Sequence, residues 1–347
     1  MLQGLLIRNY RIFESLKIDQ LRRLNLIAGS NNSGKTSLLE GIFLLAGGRA
    51  ELALNGHIAR VDLNSEVRQV GDNFWMPFFN NLDMTKAIRI EGYSESLGTL
   101  ALEITSDRNR TSEILVDSTD GISATNRPNK HKLVFSYEHA SREPIKSHIQ
   151  EAGTRITGEQ PDLDIPYKAA IVLSRIPNGQ EDAIRLANLR KQKRDHLLLE
   201  ALRVIEPRLQ SVEDNSASGT PLIWGDIGLP ELVPLAVMGE GMSRLARLVL
   251  SISAVANGLV MIDEIENGIH HTLLPNLWRA VDSAAEQFNT QVFATTHSIE
   301  CVWAAHEALD DEDFRLHRLE EIDNSVRCIT YDPVAIEAAL QHDLEVR

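Results

Sequence analysis

Gly29-Ser30-Asn31-Asn32-Ser33-Gly34-Lys35-Thr36 reads G-x-x-x-x-G-K-[ST]. That spacing is a phosphate-binding loop. Its glycines permit a tight turn, and its backbone N–H groups close around phosphates. The flanks occur in the order the motif needs. Leu24–Ala28 is a short apolar run, as a buried strand shows, and Ser37–Leu45 carries apolar residues at helical spacing. A helix starting here adds the partial positive charge of its N-terminus. The reading places Asn31, Asn32, Ser33, Gly34, Lys35, Thr36 and Ser37 around a nucleoside triphosphate such as ATP. Lys35 reaches the β- and γ-phosphates and the Thr36 hydroxyl ligates Mg²⁺.

A second pattern supports the first. Gly258-Leu259-Val260-Met261-Ile262-Asp263-Glu264 is an apolar strand ending in two carboxylates. Downstream of a phosphate loop, this is the Walker B arrangement. Asp263 holds the Mg²⁺ shell and Glu264 orients the attacking water as general base. Between the two, Val237–Leu248 has a Gly-x-Gly turn, Gly239-Glu240-Gly241, opening an apolar-periodic helix. A helix N-terminus on flexible backbone suits a phosphate.

The rest of the chain bounds the context. With 347 residues it can bury one large core or two smaller ones. A net charge of −14 argues against uniform nucleic-acid binding, because phosphate contacts need cations. One basic concentration remains, Arg185, Arg190, Lys191, Lys193 and Arg194, in the helical stretch 180–210. It reads either as a solvated helix face or as a contact with nucleic acid or an acidic partner. Two distant cysteines, Cys301 and Cys328, suggest a reduced compartment. There is no leader pattern and no run of 18 apolar residues, so a cytoplasmic protein with no membrane contact is expected.

Further elements follow from pattern. Residues 2–8 and 12–20 read as strands, and the alternating segments in 86–138 as antiparallel strands. The polar stretches 107–130 and 139–165 read as loops, and 211–234 as a linker. Phe74–Phe79 reads as an apolar anchor and 169–174 as a buried strand. Helices are expected at 180–210, with a break near Glu206-Pro207, at 273–288 and at 333–344. A hairpin is expected around Asp323-Asn324. No heptad pattern persists, which excludes a long coiled-coil arm.

Asn9-Tyr10-Arg11-Ile12-Phe13, followed by a second strand and the phosphate loop, resembles the opening of RecF-like and SMC-like ATPase heads of the ABC superfamily. Asp263-Glu264-Ile265-Glu266-Asn267-Gly268-Ile269-His270 resembles the D-E-x-E-x-G-[IL]-H stretch of AAA15-type, OLD-like ATPases. The resemblance implies an α/β P-loop NTPase fold, an ABC-type ATPase head with an antiparallel β arm and a short helical lobe. It implies an N-terminal ATPase lobe over residues 1–174, a helical lobe over 175–236 and a C-terminal ATPase lobe over 237–347. It places Arg11 beside the nucleotide and makes His297, in Thr295-Thr296-His297-Ser298, the switch histidine. Gly239, Glu240 and Gly241 stand where the signature motif works in trans on the partner's nucleotide, though Met238 replaces the usual serine. No glutamine ends the strand before the γ-phosphate sensor; Ser174, Arg175 and Gln180 are the substitutes at hand. A homodimer or higher homo-oligomer follows, closing on nucleotide. Only about 50 residues follow His297, short for another domain. The expectation is therefore a stand-alone member without the Toprim domain, working with a separate effector such as a Toprim-like nuclease in antiphage defence. The alternative is a RecF-like DNA-binding ATPase in repair.

Overall fold

The strand that leads into the phosphate loop, β3 (Leu24–Ala28), is buried along its whole length. In the structure, a computed structural model, it lies inside a six-stranded sheet. The structure describes residues 1–47, 75–107, 132–139, 143–152, 155–159, 167–173, 179–215, 222–310, 312–323 and 325–341. The other members of that sheet are β9 (Ala169–Val172), β13 (Leu259–Ile262), β14 (Gln291–Thr295), β15 (Phe314–Ile322) and β16 (Ser325–Tyr331). Their order is β16-β15-β3-β14-β13-β9, parallel except for the β15–β16 hairpin. Ligands bind beyond the carboxyl ends of such parallel strands. Here β3, β14 and β13 are neighbours, so the phosphate loop, Thr295-Thr296-His297 and Asp263-Glu264 emerge at one edge.

Both faces of this sheet are covered, which is why β13 reads as an unbroken apolar run and β3 and β14 nearly so, each with one buried amide side chain, Asn25 and Gln291. Leu24, Leu26, Val260, Ile262, Val292 and Ala294 face one core. Ile27, Leu259, Met261 and Phe293, one residue out of phase, face the other. The second core holds helix α1 (Lys35–Gly47) against a seven-stranded antiparallel sheet. That sheet contains β1 (Leu2–Tyr10), β2 (Phe13–Asp19), β4 (Ile88–Ser94), β5 (Gly98–Asp107), β6 (Lys132–His139), β7 (Ile145–Ala152) and β8 (Arg155–Glu159), in the order β2-β1-β4-β5-β6-β7-β8.

The strands β7 and β8 correct the loop expected over 139–165. The inward face of β7 is Ile145, Ser147 and Ile149, and the serine breaks the apolar alternation that would have revealed it. The linker expected over 211–234 is also corrected. It forms a three-stranded sheet, β10 (Ser211–Asn215), β11 (Leu222–Asp226) and β12 (Val233–Pro234). Val212 and Ile223 bury into the first core, and the remaining residues of β10 are polar.

The helical stretch is α2 (Gly179–Lys191) and α3 (His196–Arg203), broken at 192–195 and ending before Glu206-Pro207. Both pack on α4 (Glu240–Ala254), the helix that follows Gly239. Helix α5 (Leu274–Gln287) carries Pro275 in its first turn, where a missing N–H costs nothing. Helix α6 (Ile299–Ala308) is capped by Ser298, whose hydroxyl accepts from the Cys301 N–H at 3.1 Å. Helix α7 is described over Pro333–Gln341, and 342–347, including the expected end at Leu344, lie outside the described residues. Trp75, Phe78 and Phe79 are buried as an anchor, with Phe79 bridged to Tyr10. Phe74 and most of the loop expected over 107–130 lie outside the described residues. Among the described residues no helix is long and apolar enough to cross a membrane.

Candidate functional site

The loop turns on two glycines whose geometry no other residue would accept. Gly29 has φ +151°, and a Cβ there would stand 2.6 Å from the Leu319 carbonyl oxygen. Gly34 has φ +93°, and a Cβ would stand 2.5 Å from Ile12 Cδ1 and 2.8 Å from the Phe13 ring. The loop therefore sits directly on the β1–β2 turn. Asn31 and Asn32 are exposed at its tip, Asn32 with φ +68°, while Ser33 and Ser37 are buried. Helix α1 begins at Lys35, and the Leu38 N–H donates to the Gly34 carbonyl at 2.8 Å. The Lys35 ammonium folds back over the loop, donating to the carbonyls of Gly29 at 2.6 Å and Ser30 at 2.8 Å. Burial pushes its pKa below the ordinary lysine value, and the carboxylates of Asp263, Glu264 and Glu266 pull it back up.

The carboxylate pair meets the loop through hydroxyls. Thr36 Oγ1 donates to Asp263 Oδ1 at 3.3 Å, and Thr295 Oγ1 donates to the same oxygen at 2.9 Å. Thr295 is fully buried, and its hydroxyl also accepts the Glu264 N–H at 2.9 Å. Glu264 sits at φ +48°, a left-handed conformation unusual for a glutamate. Asn267 Nδ2 donates to Glu264 Oε2 at 3.1 Å. Arg244, from α4, is 5% exposed. Its Nη2 donates to the Asp263 carbonyl at 2.8 Å and to the Glu264 carbonyl at 3.0 Å. Burial, and then the neighbouring Arg247, lower the Arg244 pKa.

His297 is 54% exposed, beside Glu266. Glu266 Oε1 accepts from Thr296 Oγ1 at 2.7 Å and from the His297 N–H at 3.2 Å, and lies 3.4 Å from His297 Nδ1. A carboxylate at Nδ1 favours the proton on that nitrogen and leaves Nε2 for a ligand. Gly241 packs against the other side of the Asp263-Glu264 turn, with a Cβ there 3.3 Å from the Gly268 carbonyl oxygen. Gly239, at φ +127°, and Glu240 are exposed at the start of α4.

Thus Lys35, Thr36, Asp263 and Glu264 come together, with His297 on the adjoining strand end. Arg11 is engaged within the chain. It pairs with Glu40 of α1 at 2.9 Å and stacks near the Tyr10 and Phe78 rings. The basic stretch is largely consumed inside the chain. Arg185 bonds Glu181 and Ser251, Arg190 bonds Asp214 at 2.8 Å, and Arg194 bonds the Gln287 carbonyl and lies over Phe288. Lys191 and Lys193 remain exposed. Ser174 and Arg175 lie outside the described residues, and Gln180 is the exposed second residue of α2. The roles of Thr295, Glu266, Asn267 and Arg244 were not anticipated. All four stand inside stretches singled out above, but Arg244 there looks like one polar position on an amphipathic helix.

The residues fit a magnesium nucleotide. A hydroxyl and a carboxylate oxygen converge, and both are hard oxygen donors. The glycine cradle is closed by backbone and rings, so it admits a phosphate and no side chain.

Residues 24–302 match the family model described as "AAA domain, putative AbiEii toxin, Type IV TA system". A curated relative, an ATP/GTP phosphatase of Helicobacter pylori, is 25% identical over 364 residues, covering 95% of each chain. The DNA replication and repair protein RecF of Actinobacillus pleuropneumoniae is 49% identical over 49 residues, only 14% of each chain. Among solved structures, an Smc head bound to the C-winged helix domain of ScpA has a TM-score of 0.52 at 12% identity, covering 95% of this chain and 98% of its own. An Smc head with an extended coiled coil, derived from Pyrococcus furiosus and bound to the C-terminal domain of ScpA, has a TM-score of 0.50 at 11% identity, covering 99% of each chain. The solved structures establish the fold, that of a P-loop ABC-type ATPase head.

Proposed function

The chain belongs to this AAA-domain family, and we propose that it is an ATPase whose nucleotide cycle works as a switch. One observation carries the reading: the Thr36 hydroxyl, next to Lys35, stands 3.3 Å from Asp263 Oδ1, with Glu264 beside it. Lys35 would leave the Gly29 and Ser30 carbonyls for the β- and γ-phosphates. Thr36 and Asp263 would hold Mg²⁺, which when bound neutralises phosphate charge. Glu264 would take the proton of the attacking water, and His297 would meet the γ-phosphate or that water through Nε2. Catalysis of this kind is positioning and charge stabilisation, which suits the hydrogen-bonded turn around Asp263 and Glu264. Asn31, Asn32, Ser33, Gly34 and Ser37 complete the phosphate cradle. Arg11 would join it only by exchanging Glu40 for nucleotide.

Gly239, Glu240 and Gly241 would act on the nucleotide of a second copy, so that ATP closes a homodimer or higher homo-oligomer and hydrolysis opens it. The division into lobes over 1–174, 175–236 and 237–347 belongs to this reading. The effector would be a separate protein, and we favour a Toprim-like nuclease in antiphage defence, of the AAA15-type, OLD-like kind. The family description, naming a toxin of a toxin–antitoxin system, supports a two-protein defence setting. A RecF-like repair role is the second reading, favoured by the short stretch of high identity to RecF. The internal pairing of Arg185, Arg190 and Arg194 weakens it, because it takes up three of the five cations of that basic stretch.

The test is Glu264→Gln. The wild type should hydrolyse ATP with Mg²⁺, and the variant should bind it and turn over slowly. Pulled from its host with MgATP, the variant should bring a nuclease-like partner. Recovery of DNA with no protein partner would favour repair. Absence of both binding and turnover in the wild type would end the ATPase reading.

A further inference from the structure

Among the described residues Arg244 is the most deeply buried cation near the site, and core filling does not explain it. A methionine or leucine would fill the same space with no charge to desolvate. Its hydrogen bonds go to backbone carbonyls of two elements: Nη2 to Asp263 and Glu264, and Nη1 to Leu173 at 3.5 Å. Leu173 directly follows β9, where the chain leaves the sheet beside β13. Arg244 itself stands three residues after Gly241 on α4. One guanidinium therefore ties the helix of the Gly-x-Gly turn to the end of β9 and to the turn that carries Glu264. Glu264 needs such a tie. Its left-handed backbone costs roughly 1 kcal/mol or more and persists only where the surroundings enforce it. The enforcing bonds are the Thr295 hydroxyl on its N–H and Arg244 on its carbonyl.

We infer that Arg244 is a positioning residue for Glu264: by holding the Asp263 and Glu264 carbonyls from α4 it sets where the Glu264 carboxylate stands. The inference rests on the reading of Glu264 as general base. Seating Gly239–Gly241 on a second copy's nucleotide would move α4, and Arg244 would carry that movement to the catalytic turn of its own chain. A planar fork with several donors can bridge two carbonyls and reach a third, whereas a lysine offers a point charge.

The test uses Arg244→Ala in the full chain, with guanidinium chloride at low millimolar concentration as the added probe. A cavity of about 590 Å³, lined in part by Asp182, Ser243, Arg244 and Arg247, opens a route for that ion to the vacated position. In the variant kcat should fall about 100-fold while KM for MgATP stays within about threefold. Guanidinium should restore part of kcat, and methylammonium should not. Amide exchange at 263–267 should quicken and slow again with guanidinium, while β13 and α4 stay protected. Unchanged kcat overturns the inference. So does a loss that guanidinium leaves untouched and that raises exchange through β13 and α4 alike, since that is a packing defect. If the wild type proves to hydrolyse nothing, the ATPase reading fails by itself, and exchange at 263–267 still decides whether Arg244 holds the turn. Should alanine unfold the chain, Arg244→Lys carries the test: partial kcat and partial protection support the inference, and wild-type values of both refute it.

Discussion

Replacing Thr295 by valine keeps the shape of the side chain and deletes one hydroxyl. That hydroxyl is fully buried, donates to Asp263 Oδ1 at 2.9 Å and accepts the Glu264 N–H at 2.9 Å. A hydrogen bond to a charged group contributes about 1.5–3 kcal/mol, and a buried amide left unpaired costs about 1–3 kcal/mol. The Asp263 oxygen keeps Thr36 Oγ1 at 3.3 Å, which softens the first loss. The expected destabilisation is therefore about 2–4 kcal/mol, a large part of a typical domain's stability of about 5–15 kcal/mol. The same deletion loosens both carboxylates that the proposed chemistry uses. Half of that energy appearing in the transition state would slow ATP turnover about 5- to 30-fold. Urea unfolding reads the first effect as a lower midpoint at unchanged slope, and steady-state hydrolysis reads the second. Thr295→Ser keeps the hydroxyl, so its turnover should stay close to wild type. A valine variant within about 0.5 kcal/mol of wild type, with normal turnover, would refute the hydroxyl bridge between β14 and the Asp263-Glu264 turn.

Gly34→Ala forces a Cβ to 2.5 Å from Ile12 Cδ1 at a positive φ, so MgATP should no longer raise the melting temperature, as thermal scans with and without nucleotide will read. Glu266→Ala strands the Thr296 hydroxyl and the His297 N–H; kcat should fall about 10- to 100-fold at nearly constant KM, with Glu266→Gln in between, measured by steady-state kinetics. Burial holds the His317 imidazole at a pKa of about 3, far below the ordinary 6.5. The unfolded chain therefore binds a proton that the folded chain refuses. This contribution is fully present above pH 6.5 and is lost as pH falls, at up to about 1.4 kcal/mol per pH unit until about pH 3. Urea midpoints across pH 6.5–4.5 should fall less steeply for His317→Asn.

The three site-bearing strands were legible because each is buried on both faces, and a strand so placed shows mostly apolar residues until it reaches the site, Asn25 and Gln291 being the exceptions. Their adjacency was not legible. In the chain β13 precedes β14, yet β14 stands between β3 and β13, an order set by the crossover helices. The strands β7 and β10–β12 were missed for the opposite reason. The inward face of β7 includes Ser147, β10 is polar apart from Val212, and β11 has apolar residues on both faces, Ile223 on one and Leu222 and Trp224 on the other, so none shows a clean alternation. Arg11 shows how far local context reaches. Its place after the first strand is plain in the sequence, but its partner Glu40 lies 29 positions on, and only the packing of α1 against β1 brings them together.

Arg244 marks the deeper limit. Along α4, arginines at 244 and 247 alternate with buried leucines, as the wet face of any amphipathic helix would. Both are enclosed instead, because α2 and the turn after β13 close over that face; Arg247 is spent on Asp182 at 3.0 Å and Arg244 on backbone carbonyls. A pattern of residue types cannot separate an arginine facing water from one facing carbonyls, since the spacing is the same. The distinguishing quantity is what stands opposite, and that belongs to the fold. The side chains that fix the Asp263-Glu264 turn, Thr295 and Arg244, are in this class: each acts through a backbone amide or carbonyl, a group every residue carries and no sequence pattern records.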